Sequence, residues 1–278
     1  MSQDKFFLSF SAIDSYKTCQ RKYYYRYVAK LPTKHWPWLA FGNFNHLVLE
    51  KFHNYIIYFK KKSREYDKKA LMKRAFYSAL RKTYRLTTKG SQPAMTEKQI
   101  EDSKKLLKRY YDKIDKNEPD VFHTEKYFEI DLGDGLWLKG YIDRIDRISE
   151  NTFKIVDYKT SKAAYPVDKN DQLNIYAIGF KKTLDKEDVE IFKQFDFLKL
   201  GKTSPTHPEG QKHNNDDDKE ILDRIKAVGL EIRKKIQTDK NEADWTPTDN
   251  DFCWCCDFKD ACYKQRGLDE DIFGERNR

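Results

Sequence analysis

The stretch from residue 140 to residue 162 constrains this chain more than any other. It reads Gly140-Tyr141-Ile142-Asp143-Arg144-Ile145-Asp146, a turn, then Ile155-Val156-Asp157-Tyr158-Lys159-Thr160. β-Branched and aromatic residues dominate both halves, and Ser149, Glu150 and Asn151 mark a turn between them, so the pair predicts a β-hairpin. Strand side chains alternate faces, which puts Phe153, Ile155, Asp157 and Lys159 together on one side. A lysine two residues from a carboxylate, with Asp143 on the neighbouring strand, makes a compact polar cluster. Carboxylates gathered in this way suit a hard divalent cation such as magnesium. The lysine beside them could orient a water or offset charge building on a phosphate. A second reading of the same residues is a solvated hairpin, since 36% of the chain is charged.

The flanking sequence supplies a framework. Val121 to Leu132, Leu136 to Ile148 and Thr152 to Thr160 read as successive strands, the first two joined by the hairpin turn Gly133-Asp134-Gly135. Before them, a helix is expected from Asn43 to about Lys62, with Phe44, Leu47, Val48, Phe52, Tyr55 and Phe59 as its buried stripe. His46, Glu50 and His53 recur on it at spacings of four and three, along another face. A Lys- and Arg-rich helical stretch follows over 63–87, then a break at Lys89-Gly90-Ser91-Gln92-Pro93. Thr96 and Gln99 form a capping-box pair that opens another helix. The helical segment over about 60–118 reads as an insertion on one side of the core. Beyond the strands come a helix with Gln172 and Tyr176 one turn apart, a strand from Val189 to Leu200, an exposed polar loop over 201–218, and an amphipathic helix marked by Ile221, Ile225, Val228, Ile232 and Ile236. At the start of the chain, Ser11 and Asp14 resemble a helix N-cap arrangement, and Cys19 falls in the helical region that follows. The run Arg21-Lys22-Tyr23-Tyr24-Tyr25-Arg26-Tyr27 reads either as a nucleic-acid grip or as core tyrosines with a wet basic edge.

Composition narrows the partners. A formal charge of +9 points to a polyanion. No apolar run is long enough to span a bilayer, and the first residues lack a signal-peptide layout, so an intracellular, cytoplasmic setting is expected. Disulfides are then not expected, and the five cysteines need another explanation. Cys253, Cys256 and Cys262 have the spacing C-x2-C-x5-C, and Cys19 is the one distant cysteine that could complete four thiolates. Thiolates select zinc or an iron–sulfur cluster, and spacing does not separate the two. Cys255 is surplus.

Taken in order, Leu8 to Ser11, Cys19 to Tyr27, Gly42 to His46, Gly140 to Asp143, Asp157-Tyr158-Lys159, Gln172 to Tyr176 and the final cysteines resemble the RecB-type branch of the PD-(D/E)XK nuclease superfamily. The likeness covers nearly the whole chain and is strongest to its iron–sulfur exonucleases, such as the CRISPR-associated RecB-like exonucleases and the AddB nuclease domain. It implies an α/β, restriction-endonuclease-like mixed sheet flanked by helices, forming a single domain over 1–278 with a C-terminal cysteine segment at about 245–266. It implies His46, Asp143 and Asp157 as side-chain ligands of Mg2+ or Mn2+, completed by the Tyr158 carbonyl. Lys159 becomes the catalytic lysine, with Gln172 and Tyr176 supporting it towards the substrate. Cys19, Cys253, Cys256 and Cys262 become the ligands of a [4Fe–4S] cluster that staples the two chain ends, with zinc as the alternative. The expected substrate is DNA, as single strands or ends. No helicase motif is present, so strand separation is expected to come from a partner, such as a helicase, recombination or CRISPR protein, or from a frayed end. Gln20 departs from the family, which commonly has proline there. The competing reading is a non-catalytic DNA-binding or interaction subunit that carries a cluster or zinc.

Overall fold

The structure is a computed structural model, and it describes residues 5–34, 36–90, 94–184, 188–239 and 241–268. In chain order the main elements are β1 (Phe6–Leu8), α1 (Phe10–Thr18), α2 (Gln20–Tyr23), α3 (Pro37–Lys61), α4 (Lys68–Thr88), α5 (Glu97–Lys116), β2 (Val121–Gly133), β3 (Leu136–Arg147), β4 (Thr152–Lys159), α6 (Gln172–Leu184), β5 (Glu190–Phe197), β6 (Lys202–Ser204), β7 (Gln211–Lys212), α7 (Asp218–Thr238) and α8 (Lys259–Arg266). They group into two compact units. One comprises His35–Ile130 and Lys139–Ile221, the other Met1–Lys34, Asp131–Leu138 and Leu222–Arg278.

The larger unit holds the hairpin. β3 and β4 pair antiparallel with Arg144 opposite Val156, and β4 and β5 pair parallel with Asp157 opposite Phe195. Parallel neighbours need a crossover, and α6 supplies it. β6 and β7 add to β5 antiparallel, so the sheet is mixed. Val156 and Tyr158 face a helical layer of α3, α4 and α5, whose Phe44, Val48, Phe52, Phe76, Leu106 and Tyr110 bury against them. On the other face Phe153 meets Phe180 of α6 edge-on, with ring centroids 5.1 Å apart. This is the α/β arrangement of a mixed sheet flanked by helices. Two glycines make room at its centre. A Cβ on Gly140 would lie 2.8 Å from the Phe128 ring, and one on Gly179 would collide with the same ring.

In the smaller unit β1 runs parallel to the first residues of β3, with Phe6 opposite Leu136. Its core is aromatic. Trp245 is fully buried, stacked on Tyr23 with centroids 5.9 Å apart and edge-on to Tyr16 at 6.3 Å. Buried Arg21 donates from Nε to the Trp245 carbonyl at 2.6 Å and from Nη1 to Gln265 at 2.5 Å. Tyr23 and Tyr25 are therefore core, while Tyr24 and Tyr27 are half-buried against Trp245 and Tyr23. No helix among the described residues is long and apolar enough to cross a membrane.

Several boundaries differ from the expectations, each for a local reason. α3 begins at Pro37, six residues before Asn43, because proline's fixed φ suits a first helical turn. Gly42 lies inside this helix, where a Cβ would sit 3.2 Å from Thr160 Oγ1. The N-cap of α1 is Ser9, not Ser11, and its hydroxyl accepts from Ala12 N–H at 3.2 Å. Cys19 is not helical but extended, with φ −164° and ψ 112°, between α1 and α2. The segment over 201–218 carries β6 and β7 and the short turn Asn215–Asp217, and so is not a plain loop. The capping box of Thr96 and Gln99 forms, with Thr96 N–H donating to Gln99 Oε1 at 2.9 Å. Of the break after α4, Ser91 to Pro93 lie outside the described residues.

Candidate active site

Four elements of the larger unit meet at the hairpin. β3 presents Asp143, β4 presents Asp157 and Lys159, the first two turns of α6 present Gln172 and Tyr176, and the middle of α3 presents His46. Lys159 Nζ lies 2.6 Å from Asp157 Oδ2 and donates to Gln172 Oε1 at 2.8 Å. The Gln172 amide then donates from Nε2 to Asp157 Oδ1 at 3.0 Å, and the same nitrogen lies 3.1 Å from Tyr176 Oη. One glutamine thus ties the lysine, the carboxylate and the tyrosine together. Asp143 Oδ2 accepts from the Tyr158 backbone N–H at 2.8 Å and meets His46 Nδ1 at 3.3 Å. All six side chains expected from the sequence therefore converge. The Tyr158 ring points away, its hydroxyl 3.0 Å from Tyr110 Oη, so any role at the site falls to its backbone.

His53 parts from His46. Its Nε2 lies 2.6 Å from Tyr110 Oη, behind the sheet. There Arg144 donates from Nη1 to Tyr110 Oη at 2.6 Å and to Tyr158 Oη at 2.9 Å, and its Nη2 pairs with Asp146 at 3.0 Å. This buried ion pair backs β3 and β4. Alternation alone indicates that Arg144 and Asp146 face opposite to Asp143, but the tyrosine and histidine partners come from other elements.

The site's electrostatics are those of crowded carboxylates. Burial pushes Asp157 up to about 6, with Lys159 opposing and Asp143 reinforcing the rise. Glu125, which the sequence reading missed, is pushed up to about 7 by burial and by the charges of Asp143 and Glu50. Its backbone adopts φ +46°, a left-handed conformation that breaks the alternation of β2 and re-aims the side chain. The one sequence signal for it is an acidic residue inside a predicted strand. Burial opposes a charge on His46, yet Asp143, Asp157 and Glu125 hold the imidazole up at about 9. His46 and Lys159 in turn keep Asp143 below the usual carboxylate range although burial pushes it up.

These residues fit a divalent cation. Asp157 is buried with only Lys159 Nζ against its Oδ2, and the carboxylates of Asp143, Asp157 and Glu125 beside an imidazole are a donor set such an ion takes. Among the described residues no three His, Cys, Asp or Glu side chains are already closed into a cage. His46 and Lys159 stand against the carboxylates instead.

The cysteines gather in the smaller unit, all five unpaired as thiols. Thr248 N–H donates to Cys19 Sγ and Asn250 N–H to Cys253 Sγ, both at 3.4 Å. Burial raises the Cys256 thiol, and Cys19 and Cys253 add to the rise against Phe258 N–H and Lys22. Burial likewise raises Cys262, against Arg266 and with Cys19 adding. Cys19, Cys253, Cys256 and Cys262 therefore share one neighbourhood. Cys255 Sγ turns to the Phe252 carbonyl at 3.3 Å.

The fold and the site together define a protein of the carboxylate–lysine class, with its acidic residues on a central hairpin and a glutamine bridging from the next helix. Residues 7–263 match the PD-(D/E)XK nuclease superfamily, and the chain belongs to it. Over 47 residues, 17% of its length, it is 40% identical to an ATP-dependent helicase/deoxyribonuclease component of Streptococcus pyogenes serotype M49, and equally to that of serotype M1. The match spans only 4% of those relatives' length. Among solved structures, a candidate exonuclease from Eubacterium rectale is similar at 10% identity and a TM-score of 0.47, over 90% of this chain and 86% of that one.

Proposed function

We propose that the protein is a metal-dependent deoxyribonuclease that hydrolyses phosphodiester bonds at DNA ends or in single strands, as an exonuclease. The observation that carries this reading is the Gln172 bridge, which holds Lys159 and Asp157 in one hydrogen-bonded unit beside Asp143 and His46. Asp143, Asp157 and His46, with the Tyr158 carbonyl, would hold Mg2+ or Mn2+. When bound, the cation lowers the pKa of a coordinated water and polarises the phosphate. Lys159 keeps its proton, since Asp157 holds its pKa up although burial works against it. A protonated amine there can bind a non-bridging phosphate oxygen and stabilise the charge that grows on it. Gln172 fixes the amine's direction, and Tyr176 fixes Gln172.

In the other unit, Cys19, Cys253, Cys256 and Cys262 would carry a [4Fe–4S] cluster. The short likeness to a helicase/deoxyribonuclease component supports DNA as substrate and a helicase as partner.

The test is digestion of end-labelled single- and double-stranded DNA with Mg2+ or Mn2+. Wild type should shorten the label progressively. Lys159→Ala, Asp143→Ala and Asp157→Ala should each lose about 100-fold or more in rate. Binding of DNA should persist in all three, because phosphate contacts by other basic residues dominate affinity. Normal turnover in either aspartate variant would move the site elsewhere.

A further inference from the structure

The start of α3 carries a feature that hydrolysis itself does not use. Trp36 and Trp38 stack with ring centroids 4.4 Å apart and planes 19° from parallel, and Trp38 remains 43% exposed. Beside them opens a cleft of about 790 Å³ lined by Trp38, Phe41, Lys105, Leu106, Arg109 and Lys199, among others. Burial and the charge of Lys162 hold the Lys199 amine below its usual pKa, opposed by Asp102, the acid that shares the cleft's lining, and the amine sits 4.7 Å over the Phe41 ring. Arg109 donates to the Lys199 carbonyl at 2.9 Å, which fixes the guanidinium against the same wall. Lys108 pairs with Asp112 at 2.6 Å, whereas Lys105, Arg109 and Lys199 form no ion pair among the described residues.

The cleft adjoins the catalytic strand on two sides. Phe41 is followed by Gly42, which packs on Thr160, the residue after Lys159. On the other wall, Leu198 N–H donates to the Lys159 carbonyl at 2.9 Å, and Lys199 is the next residue. Along α3, Trp38 and His46 are eight residues apart, about 12 Å at the helical rise, within reach of a short stretch of single strand. Ligands of open α/β sheets gather at the carboxyl ends of parallel strands, and β4 and β5 both end here.

We propose that this cleft seats a nucleotide of single-stranded DNA next to the scissile phosphate, with a base stacked on Trp38 and the backbone running over Lys105, Arg109 and Lys199. The inference rests on the nuclease reading for its substrate, and it adds where the strand lies. An exposed indole beside unpaired cations is the combination that binds single strands without sequence preference.

The experiment is an anisotropy titration of a labelled oligothymidylate of about 12 nucleotides, with EDTA present so that nothing is cleaved. Trp38→Ala should bind about ten-fold more weakly and Trp38→Phe should recover most of the loss, because a ring is what stacks. Lys105→Ala and Lys199→Ala should each flatten the dependence of log K on log salt by about 0.7. Unchanged affinity in Trp38→Ala, with circular dichroism confirming its fold, would overturn the proposal. So would an equal Trp38 dependence for a duplex with capped ends, since paired bases cannot stack on the indole. The two readings fail separately. A wild type that never cleaves DNA but binds it through Trp38 sinks the nuclease and keeps the cleft, whereas processive cleavage with Trp38-independent binding does the reverse.

Discussion

Glu125 shows how a single backbone angle decides what a side chain can do. In regular β2 geometry it would alternate with Thr124 and Lys126, but φ +46° turns it towards the charges of Asp143 and Asp157. Without a cation the carboxylates repel one another, so removing one charge should help the metal-free protein. Glu125→Gln should melt higher in EDTA, by about 2 °C, and should gain less than wild type from added Mn2+. Thermal melts of both proteins in both conditions check this. An unchanged gain from Mn2+ would mean that Glu125 does not face the cation. Asp143, Asp157 and Lys159 were legible in the sequence because a strand's period of two fixes their faces without any other information. Glu125 was not, because nothing in Thr124-Glu125-Lys126 marks a left-handed residue. The opposite fates of His46 and His53 were equally hidden. Their spacing of seven residues allows a shared face, and only Tyr110 of another helix draws His53 away.

Elements set the pH response of the scaffold. α3, α5, β3 and β4 each contribute to the buried set His53, Tyr110, Arg144 and Tyr158. Burial, then the charges of Arg144 and Lys60, keep the His53 imidazole neutral and its pKa well below 6.5. In the unfolded chain the same group titrates at about 6.5. Its contribution is therefore complete above that pH, and it is lost as pH falls below it, at about 1.4 kcal/mol per pH unit. The metal-free protein should melt progressively lower as acid is added in this range. His53→Gln should remove that slope while shifting the whole curve. Parallel curves for the two proteins would show that His53 is protonated in the fold. β2, β3 and β4 were readable from periodicity and turn residues to within a residue, whereas β5 ends three residues before Leu200 and β6 and β7 lie in the stretch read as a loop. The early start of α3 and the break at Cys19 were not readable. Gly42 resembles a helix breaker until Thr160 is seen packed on it, and Cys19 is extended within a sequence of helical pattern.

At the scale of the whole molecule, the cysteines separate stability from chemistry. One centre held by Cys19, Cys253, Cys256 and Cys262 would close a loop of most of the chain, and binding free energy at such a site becomes folding free energy. Protein purified without oxygen should be brown if the centre is a cluster, whereas a colourless protein with stoichiometric zinc would establish the alternative metal. Cys19→Ala and Cys262→Ala should bleach it and lower Tm by several degrees. Cys255→Ala should keep both colour and Tm, since its thiol turns to the Phe252 carbonyl. Bleaching in Cys255→Ala but not in Cys256→Ala would reverse the ligand assignment. The smaller unit has one more consequence, for synthesis. Its pieces come from the beginning, the middle and the end of the chain, and Arg21 waits for Trp245 and Gln265. On a ribosome Arg21 and its neighbours emerge long before Trp245 and Gln265, and so find their partners late. The larger unit, complete once Ile221 has emerged, can fold while they are still unsatisfied, and the tyrosines of α1 and α2 depend on whatever shields them in the interval.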